Sequence, residues 1–175
     1  SLKPVDFVAR RVGVGARYGT GMWPGLTAEK LMGEEVFPVC SPELLRQHGH
    51  LQTPMELGGV TLIHDLSMDG DVGFPTWEKW FAKANVVRLT TSRGMKINNS
   101  AAVLQAAIEG RGVALARSVM AHDDLAAGRL VRLFAEVRFE SELAYYVVYR
   151  PECANLPRVV AFRDWLRNEA ASQSG

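Results

Sequence analysis

The stretch INNSAAVLQAAIEGRGVALA, residues 97–116, decides the fold of this chain. Its polar start suits a helix N-cap. Apolar residues then recur at helical spacing, which predicts a helix with one buried face. Two glycines at 110 and 112 end that helix, and residues 113–116 are typical of a short, fully buried strand of a parallel sheet. The predicted buried face consists of Ala101, Val103, Leu104, Ala107 and Ile108.

The start of this helix is a candidate ligand site. Asn98, Asn99 and Ser100 supply polar side chains, and the backbone amides of Ala101 and Ala102 would have no acceptor within the helix. Exposed amides at a helix start suit an anionic or carbonyl-bearing ligand. The same pattern also fits an ordinary helix packed on a strand with no ligand, and spacing alone leaves both interpretations open.

The rest of the chain alternates between strand and helix patterns, which predicts an α/β fold with largely parallel sheets. Pro38 places its strand at a sheet edge or at a change of course. Trp165 is predicted to face inward from the last helix. Strands are predicted at 12–18, 34–40, 60–64, 86–91, 130–134 and 143–149, and helices near 5–8, from 41, from 53, and at 76–82, 101–108, 118–127 and 156–171.

Composition limits the classes of function. The 175 residues suffice for one core or two small lobes. A formal net charge of +1 gives no strong field for nucleic acid or a membrane surface. Two cysteines are too few for a disulfide scaffold, and Cys40 lies in an apolar run that predicts a buried thiol. No apolar run is long enough to span a bilayer.

No motif in the sequence demands catalysis. The patterns of a nucleophile elbow, a phosphate-binding loop and a dinucleotide fingerprint are missing from the sequence. His64 and Asp65 end a predicted strand, where ligand-contacting groups often lie in α/β sheets. A lone histidine needs a positioned partner for catalysis, so a structural role for His64 is the simpler interpretation. We expect neither an enzyme nor a bound cofactor or metal.

Several short segments, in their order along the chain, carry a family resemblance. They are VGVGARYG at 12–19, PVCSP at 38–42, LIHD at 62–65, AAVLQAA at 101–107 and GRGVAL at 110–115. The chain resembles the effector-binding region of LysR-type transcriptional regulators. WPGL at 23–26 and PVCSP favour the glycine-cleavage-system activator type.

The resemblance implies two Rossmann-like α/β lobes of periplasmic-binding-protein type II. Lobe one would comprise residues 1–36 and 143–175, and lobe two residues 38–141, with crossover strands near 35–39 and 139–144. The family pattern begins before Ser1. The resemblance therefore implies that lobe one is incomplete on its N-terminal side and that the chain holds no DNA-binding domain.

A small effector would, by the resemblance, bind in the cleft between the lobes. Ser100 would cap the central helix and still offer its hydroxyl to the effector. Tyr145 and Tyr18 are the weaker candidates. The expected effector-binding residues are Ser100, Asn99, Asn98, Ala101, His64, Asp65, Cys40, Ser41, Val39, Tyr145 and Tyr18.

The resemblance also implies the partners. The effector would be an amino acid, a purine or a cell-wall-derived molecule. The full-length protein would be a cytoplasmic homo-oligomer that reaches DNA and RNA polymerase through its other domains and does not bind membranes. Two alternatives stay open at this point: a stand-alone solute-binding protein of the same architecture, and a small α/β enzyme.

Overall fold

The strands form two sheets, one in each of two structural units. The computed structural model describes residues 13–49, 51–67, 75–87 and 89–173. Unit one is Glu35–Ser141, and unit two combines the described residues before position 35 with those from Glu142 onward. The helix predicted near residues 5–8 lies outside the described residues, and the lobe boundaries expected above stay a prediction.

The helices and strands follow the predicted order closely in the central region. In chain order they are β1 (Val14–Gly19), β2 (Thr27–Met32), β3 (Val36–Cys40), α1 (Pro42–Gln47), a 3₁₀ turn (Pro54–Gly59), β4 (Leu62–Asp65), α2 (Trp77–Lys83), β5 (Met95–Ile97), α3 (Ser100–Ile108), β6 (Val113–Arg117), α4 (Ser118–Ala126), β7 (Val131–Arg132), β8 (Ala144–Tyr149), a second 3₁₀ turn (Pro151–Cys153) and α5 (Pro157–Gln173).

Unit one contains a five-stranded sheet in the order β5-β4-β6-β3-β7. β4 runs parallel to β5 and to β6, whereas β3 runs antiparallel to β6 and to β7. The carboxyl ends of β4, β5 and β6 therefore share one edge with the amino end of β3, and we call this the carboxyl edge. The expectation of largely parallel sheets was wrong, because β3 enters the sheet in the reverse direction and unit two is antiparallel.

Helix α3 packs its predicted apolar face on this sheet. Val103, Leu104 and Ala107 are buried together with Phe37 and Ile63. Ala101 is exposed and Ile108 is only partly buried, so the buried face is narrower than predicted. The helix ends at Ile108 with Glu109 as its C-cap, and Gly110 follows with φ +75°, as the glycine pattern predicts.

The opposite face of the sheet carries an aromatic cluster. Trp77, Trp80 and Phe81 of α2 are buried there with Leu62 and Phe134. Successive residues of β4 point to opposite faces, so Leu62 joins this cluster while Ile63 joins the α3 side. The predicted core spacing of α2 is therefore confirmed, and both faces of β4 are buried.

The strand predicted at 86–91 was wrong, and of the two positions predicted for Pro38, a sheet edge or a change of course, the edge was wrong. The described part of residues 86–91 contains no strand, and the position beside β4 is taken by the three residues of β5. Pro38 does not lie at an edge, because β3 pairs with both β6 and β7. The Pro38 carbonyl accepts from the Leu133 amide at 2.9 Å. Proline has no N–H to donate, and the sheet tolerates this because β7, the neighbouring strand on that side, is only two residues long.

Glu35 ties the start of β3 to α4 and β7. Its amide donates to the Ser118 hydroxyl at 3.0 Å, and its carbonyl accepts from the Ser118 amide at 2.8 Å. Its carboxylate binds both terminal nitrogens of Arg132, and the Arg132 guanidinium carbon lies 4.2 Å from the Phe37 ring centroid. The first amide of α4 is therefore already occupied.

Unit two consists of the antiparallel sheet β1-β8-β2 and helix α5. Val159 of α5 is completely buried against Val14, Val147 and Tyr149. Trp165 is 55% exposed, so its predicted inward position was wrong, although its ring lies beside Phe162. Among the described residues, no helix combines the length and the apolar character needed to cross a membrane.

Candidate functional site

The candidate site lies at the carboxyl edge of the five-stranded sheet. β4 ends there at Asp65, α3 begins at Ser100 shortly after β5, and α4 begins at Ser118 directly after β6. Ligands of open α/β sheets bind beyond the carboxyl ends of the strands. The Ser118 amide and hydroxyl at the start of α4 already bind the backbone of Glu35. The start of α3 is therefore the candidate helix terminus for a ligand.

Asp65, Ser67 and Ser100 form a compact polar cluster at this edge. The Ser100 hydroxyl donates to Asp65 Oδ2 at 2.5 Å. The Ser67 hydroxyl and amide donate to Asp65 Oδ1 at 2.5 and 2.9 Å. The two hydroxyl oxygens lie 2.9 Å apart. Each hydroxyl has a single hydrogen. Because both hydrogens reach Asp65, the cluster presents oxygen lone pairs to its surroundings.

The helix cap lies one residue earlier than predicted. Asn99 has an extended backbone (φ −165°), and its side-chain oxygen accepts from the Ala102 amide at 3.0 Å. Ser100 is therefore the first helical residue and not the cap, and its hydroxyl donates to Asp65. Asn98, Asn99 and Ala101 are exposed beside it. The structure thus brings Ser100 and Asp65 together, as the sequence predicts for a site.

A small pocket of about 80 Å³ adjoins Asp65 within unit one. Its walls are mainly apolar, and Asp65 and Arg117 give it one acidic and one basic side chain. The indole of Trp77 is 2% exposed and donates to the Ile63 carbonyl at 2.9 Å, which fixes one wall. The lining residues are Val36, Ile63, His64, Asp65, Leu66, Pro75, Thr76, Trp77, Leu115 and Arg117.

Ser67 and Arg117 were not predicted from the sequence. Ser67 follows Asp65 by two residues, a spacing at which an aspartate side chain accepts from the backbone amide. Arg117 is the charged residue that directly follows the buried run of β6 and lies opposite Val36 in the sheet. A charge at the carboxyl end of a buried strand was the signal that would have found it.

His64 has a structural role in this structure. Its Nε2 lies 2.9 Å from the Arg93 carbonyl oxygen. A carbonyl only accepts hydrogen bonds, so Nε2 carries the hydrogen and donates. The ring therefore holds the turn before β5 against β4, while its other atoms line the pocket.

Val39, Cys40 and Ser41 lie away from this site. Since β3 is antiparallel to β6, its carboxyl end is at the opposite edge of the sheet. Val39 and Cys40 are fully buried, and burial raises the pKa of the Cys40 thiol to about 11. The Ser41 hydroxyl accepts from the Leu44 amide at 3.1 Å and caps α1. The buried thiol predicted for Cys40 is confirmed, but these three side chains do not join Asp65 and Ser100.

Tyr18 and Tyr145 belong to unit two. They are direct partners in the β1–β8 pairing, and their ring centroids lie 4.8 Å apart. Their role as effector contacts stays a prediction. Within the described ranges, no three His, Cys, Asp or Glu side chains group closely enough to hold a metal ion.

Comparisons with known proteins show which family has this fold. The family described as LysR substrate binding domain matches residues 2–171. The chain belongs to that family. The predicted α/β fold of periplasmic-binding-protein type II is thereby confirmed, as is the family resemblance.

Two curated relatives from Escherichia coli K12 are transcriptional regulators. The chain is 41% identical to the glycine cleavage system transcriptional activator over 168 residues, which is 96% of this chain and 53% of that protein. It is 35% identical to the HTH-type transcriptional regulator DsdC over 150 residues, which is 85% of this chain and 48% of that protein. The chain therefore spans about half the length of these relatives.

Solved structures of effector domains share the fold. The effector domain of the transcriptional regulator AmpR of Pseudomonas aeruginosa has a TM-score of 0.71 and 29% identity, over 97% of this chain and 77% of that chain. The effector-binding domain of AmpR from Citrobacter freundii has a TM-score of 0.72 and 25% identity, over 96% of this chain and 79% of that chain.

Proposed function

We propose that this chain is the effector-sensing domain of a LysR-type DNA-binding transcriptional regulator. The observation that carries the proposal is the Asp65–Ser67–Ser100 cluster, which lies beside a pocket at the carboxyl edge of the sheet. Preorganised polar groups beside apolar walls are the usual form of a small-molecule site. The proposed effector contacts in unit one are therefore Ser100, Asp65, Asn99 and the amide of Ala101.

Regulation follows from differential binding. A ligand shifts a conformational equilibrium only by the difference between its affinities for the two states. The effector would therefore bind one arrangement of the domain more tightly and so change how the full-length protein acts on DNA and RNA polymerase. We place that protein in the cytoplasm, as a homo-oligomer, in keeping with its relatives.

A regulatory function is favoured over the two alternatives. The relatives reported above are regulators, which argues against a stand-alone solute-binding protein. For an enzyme, the Ser100 hydroxyl would need a neighbouring base such as an imidazole. In the described part of the chain its hydrogen-bond partners are Asp65 and Ser67, and His64 is engaged by Arg93.

The test is the substitution Ser100→Ala in the natural full-length protein. It removes one hydroxyl from the cluster while alanine suits the first turn of a helix. We expect the response of a promoter reporter to the effector to fall, with the folded state retained by circular dichroism. The effector is first found by a thermal-shift screen of amino acids, purines and cell-wall peptides, since a ligand of the native state raises its stability.

Ser92→Ala is the matched control, because Ser92 is an exposed serine outside the cluster. It should leave the reporter response unchanged. A Ser100→Ala protein that responds like the unsubstituted protein would remove Ser100 from the site. Absence of any effector-dependent transcription would remove the sensor function itself.

A further inference from the structure

We infer that the Asp65–Ser67–Ser100 cluster binds a positively charged amino group of the effector. The inference rests on the proposed sensor function and adds to it the chemical class of the group that meets the start of α3. It makes Ser67, which was not predicted from the sequence, a specificity-determining residue. It also replaces the anionic ligand that the sequence pattern of this helix start suggests. Three features support it.

The first feature is the direction of the hydrogen bonds. The Ser67 hydroxyl donates to Asp65 Oδ1 and the Ser100 hydroxyl donates to Asp65 Oδ2, both at 2.5 Å. A hydroxyl has one hydrogen and two lone pairs, and an ionised carboxylate only accepts. The hydrogens of both hydroxyls are therefore used inside the cluster, and the side-chain atoms left for a ligand are acceptors. A ligand group that binds there has to donate hydrogen bonds.

The second feature is the charge of the cluster. Asp65 forms no ion pair with any residue that the structure describes. Arg117 lines the same pocket but has partners of its own, and its Nη2 lies 3.3 Å from the Met120 sulfur. The carboxylate therefore attracts a cation and repels an anion. An ammonium group supplies a positive charge and three donors, and hydrogen bonds between charged groups are roughly twice as strong as neutral ones.

The third feature is that α3 already has acceptors for its first amides. Asn99 accepts from the Ala102 amide with its side-chain oxygen and from the Val103 amide with its carbonyl, each at 3.0 Å. The Asp65 carboxylate lies at the same helix start, where it binds Ser100. A negative charge stabilises a helix N-terminus. Asp65 thus supplies, from within the chain, the charge that an anionic ligand would bring.

The experiment compares ligands that differ in one amino group, on the natural full-length protein, by thermal shift and titration calorimetry. The amine probes are the proteinogenic amino acids, D-alanyl-D-alanine and putrescine. Each is paired with the analogue in which a hydroxyl replaces one amino group, and adenine and guanine serve as ligands without an aliphatic amine. We expect at least one amine to raise Tm. Its hydroxyl analogue should bind about tenfold more weakly or worse, because it carries no positive charge.

Asp65→Asn removes the charge of the cluster and keeps the shape of the side chain. We expect the affinity for that amine to fall about tenfold or more. The preference for the amine over its hydroxyl analogue should shrink with it. A merely structural role of Asp65 would weaken the binding of both ligands equally.

Ser67→Ala removes one acceptor from the cluster and leaves the charge of Asp65 in place. The affinity for the amine should fall about three- to tenfold, which is less than in Asp65→Asn. The preference over the hydroxyl analogue should fall as well, because an ammonium uses three acceptors and a hydroxyl uses one. Ser67 is exposed, so this variant keeps its fold and provides the test even if Asp65→Asn does not fold.

Asp123→Asn is the matched control, since Asp123 is an exposed aspartate of the same unit and lies outside the pocket. Its affinity should equal that of the unsubstituted protein. If a hydroxyl analogue or a purine raises Tm and no amine does, the inference is overturned while the sensor function stands. If an amine binds with unchanged affinity to folded Asp65→Asn and Ser67→Ala, the assigned contacts are overturned. If no probe raises Tm, the amine class is overturned, and the Ser100→Ala reporter experiment decides the sensor function separately.

Discussion

The identity of one capping residue decides what the candidate site can bind. Three consecutive polar residues, Asn98, Asn99 and Ser100, all suit an N-cap by type. The extended backbone at Asn99 makes it the cap. Ser100 is then the first helical residue, so its oxygen accepts no capping amide while its hydroxyl donates to Asp65. A cap at Ser100 would have engaged a lone pair of its oxygen with a backbone amide, and the cluster would have presented fewer open acceptor positions.

Gly94 is a residue at which the neighbouring backbone leaves no room for a side chain. Its φ is +127°, and an added Cβ would lie 2.1 Å from the Leu62 carbonyl oxygen. We expect Gly94→Ala to lower the free energy of unfolding by about 3 kcal/mol or more, because the neighbouring atom belongs to the backbone of β4. Urea denaturation with an unchanged m-value measures this loss.

Gly128→Ala is the control for Gly94→Ala. Gly128 also has a positive φ, +73°, but an added Cβ there would meet no atom within 4 Å. Its cost should be about 1 kcal/mol, which is that of the left-handed backbone alone. Equal losses for the two variants would show that the close approach of Gly94 to β4 is not what requires glycine.

At the scale of the element, the cap of α3 should contribute measurably to stability. Asn99→Ala removes the hydrogen bond to the Ala102 amide, and we expect a loss of about 1 kcal/mol in the free energy of unfolding. Asn98→Ala is the matched control, since Asn98 is exposed one position outside the cap. Its effect should stay within about 0.5 kcal/mol. If chemical denaturation gave a larger loss in the free energy of unfolding for Asn98→Ala than for Asn99→Ala, the cap would be Asn98.

The elements that could be predicted are those whose pattern is local. The unit from α3 to β6 follows from helical periodicity, a glycine end and a buried run, and its boundaries are nearly as predicted. The pairing of Asp65 with Ser100 follows because both end or begin elements at one edge of a parallel sheet.

The direction in which a strand runs within the sheet could not be predicted from its local sequence pattern. The residues of β3 are apolar in either direction, so nothing in their order told which end would meet Asp65. The antiparallel entry of β3 places Val36 at the pocket and sends Cys40 to the far edge. Likewise, the β-branched run at 86–91 resembled a strand, but the position beside β4 is filled by β5.

At the scale of the whole molecule, each unit has its own buried core, and a core substitution should act mainly on its own unit. Val159 is fully buried in unit two, and Val103 is 2% exposed in unit one. Val159→Ala and Val103→Ala should each cost about 2 kcal/mol through lost burial and the cavity left behind.

Hydrogen exchange distinguishes the two variants. Val159→Ala should raise the exchange rates of amides in β1, β2 and β8, whereas Val103→Ala should raise those in β4 and β6. Each variant thus serves as the control for the other. Equal acceleration in all strands for both variants would mean that the two cores unfold as one cooperative unit.

The wall that Trp77 forms in the pocket has a practical consequence. Its indole is fixed by the Ile63 carbonyl and nearly shielded from solvent, yet the ring borders the cavity. A molecule entering the cavity changes the polarity next to that ring while leaving its orientation unchanged. The chain thus carries an intrinsic fluorophore at the candidate site. We expect effector binding to shift the emission of Trp77, which comparison with Trp77→Phe separates from that of Trp23, Trp80 and Trp165.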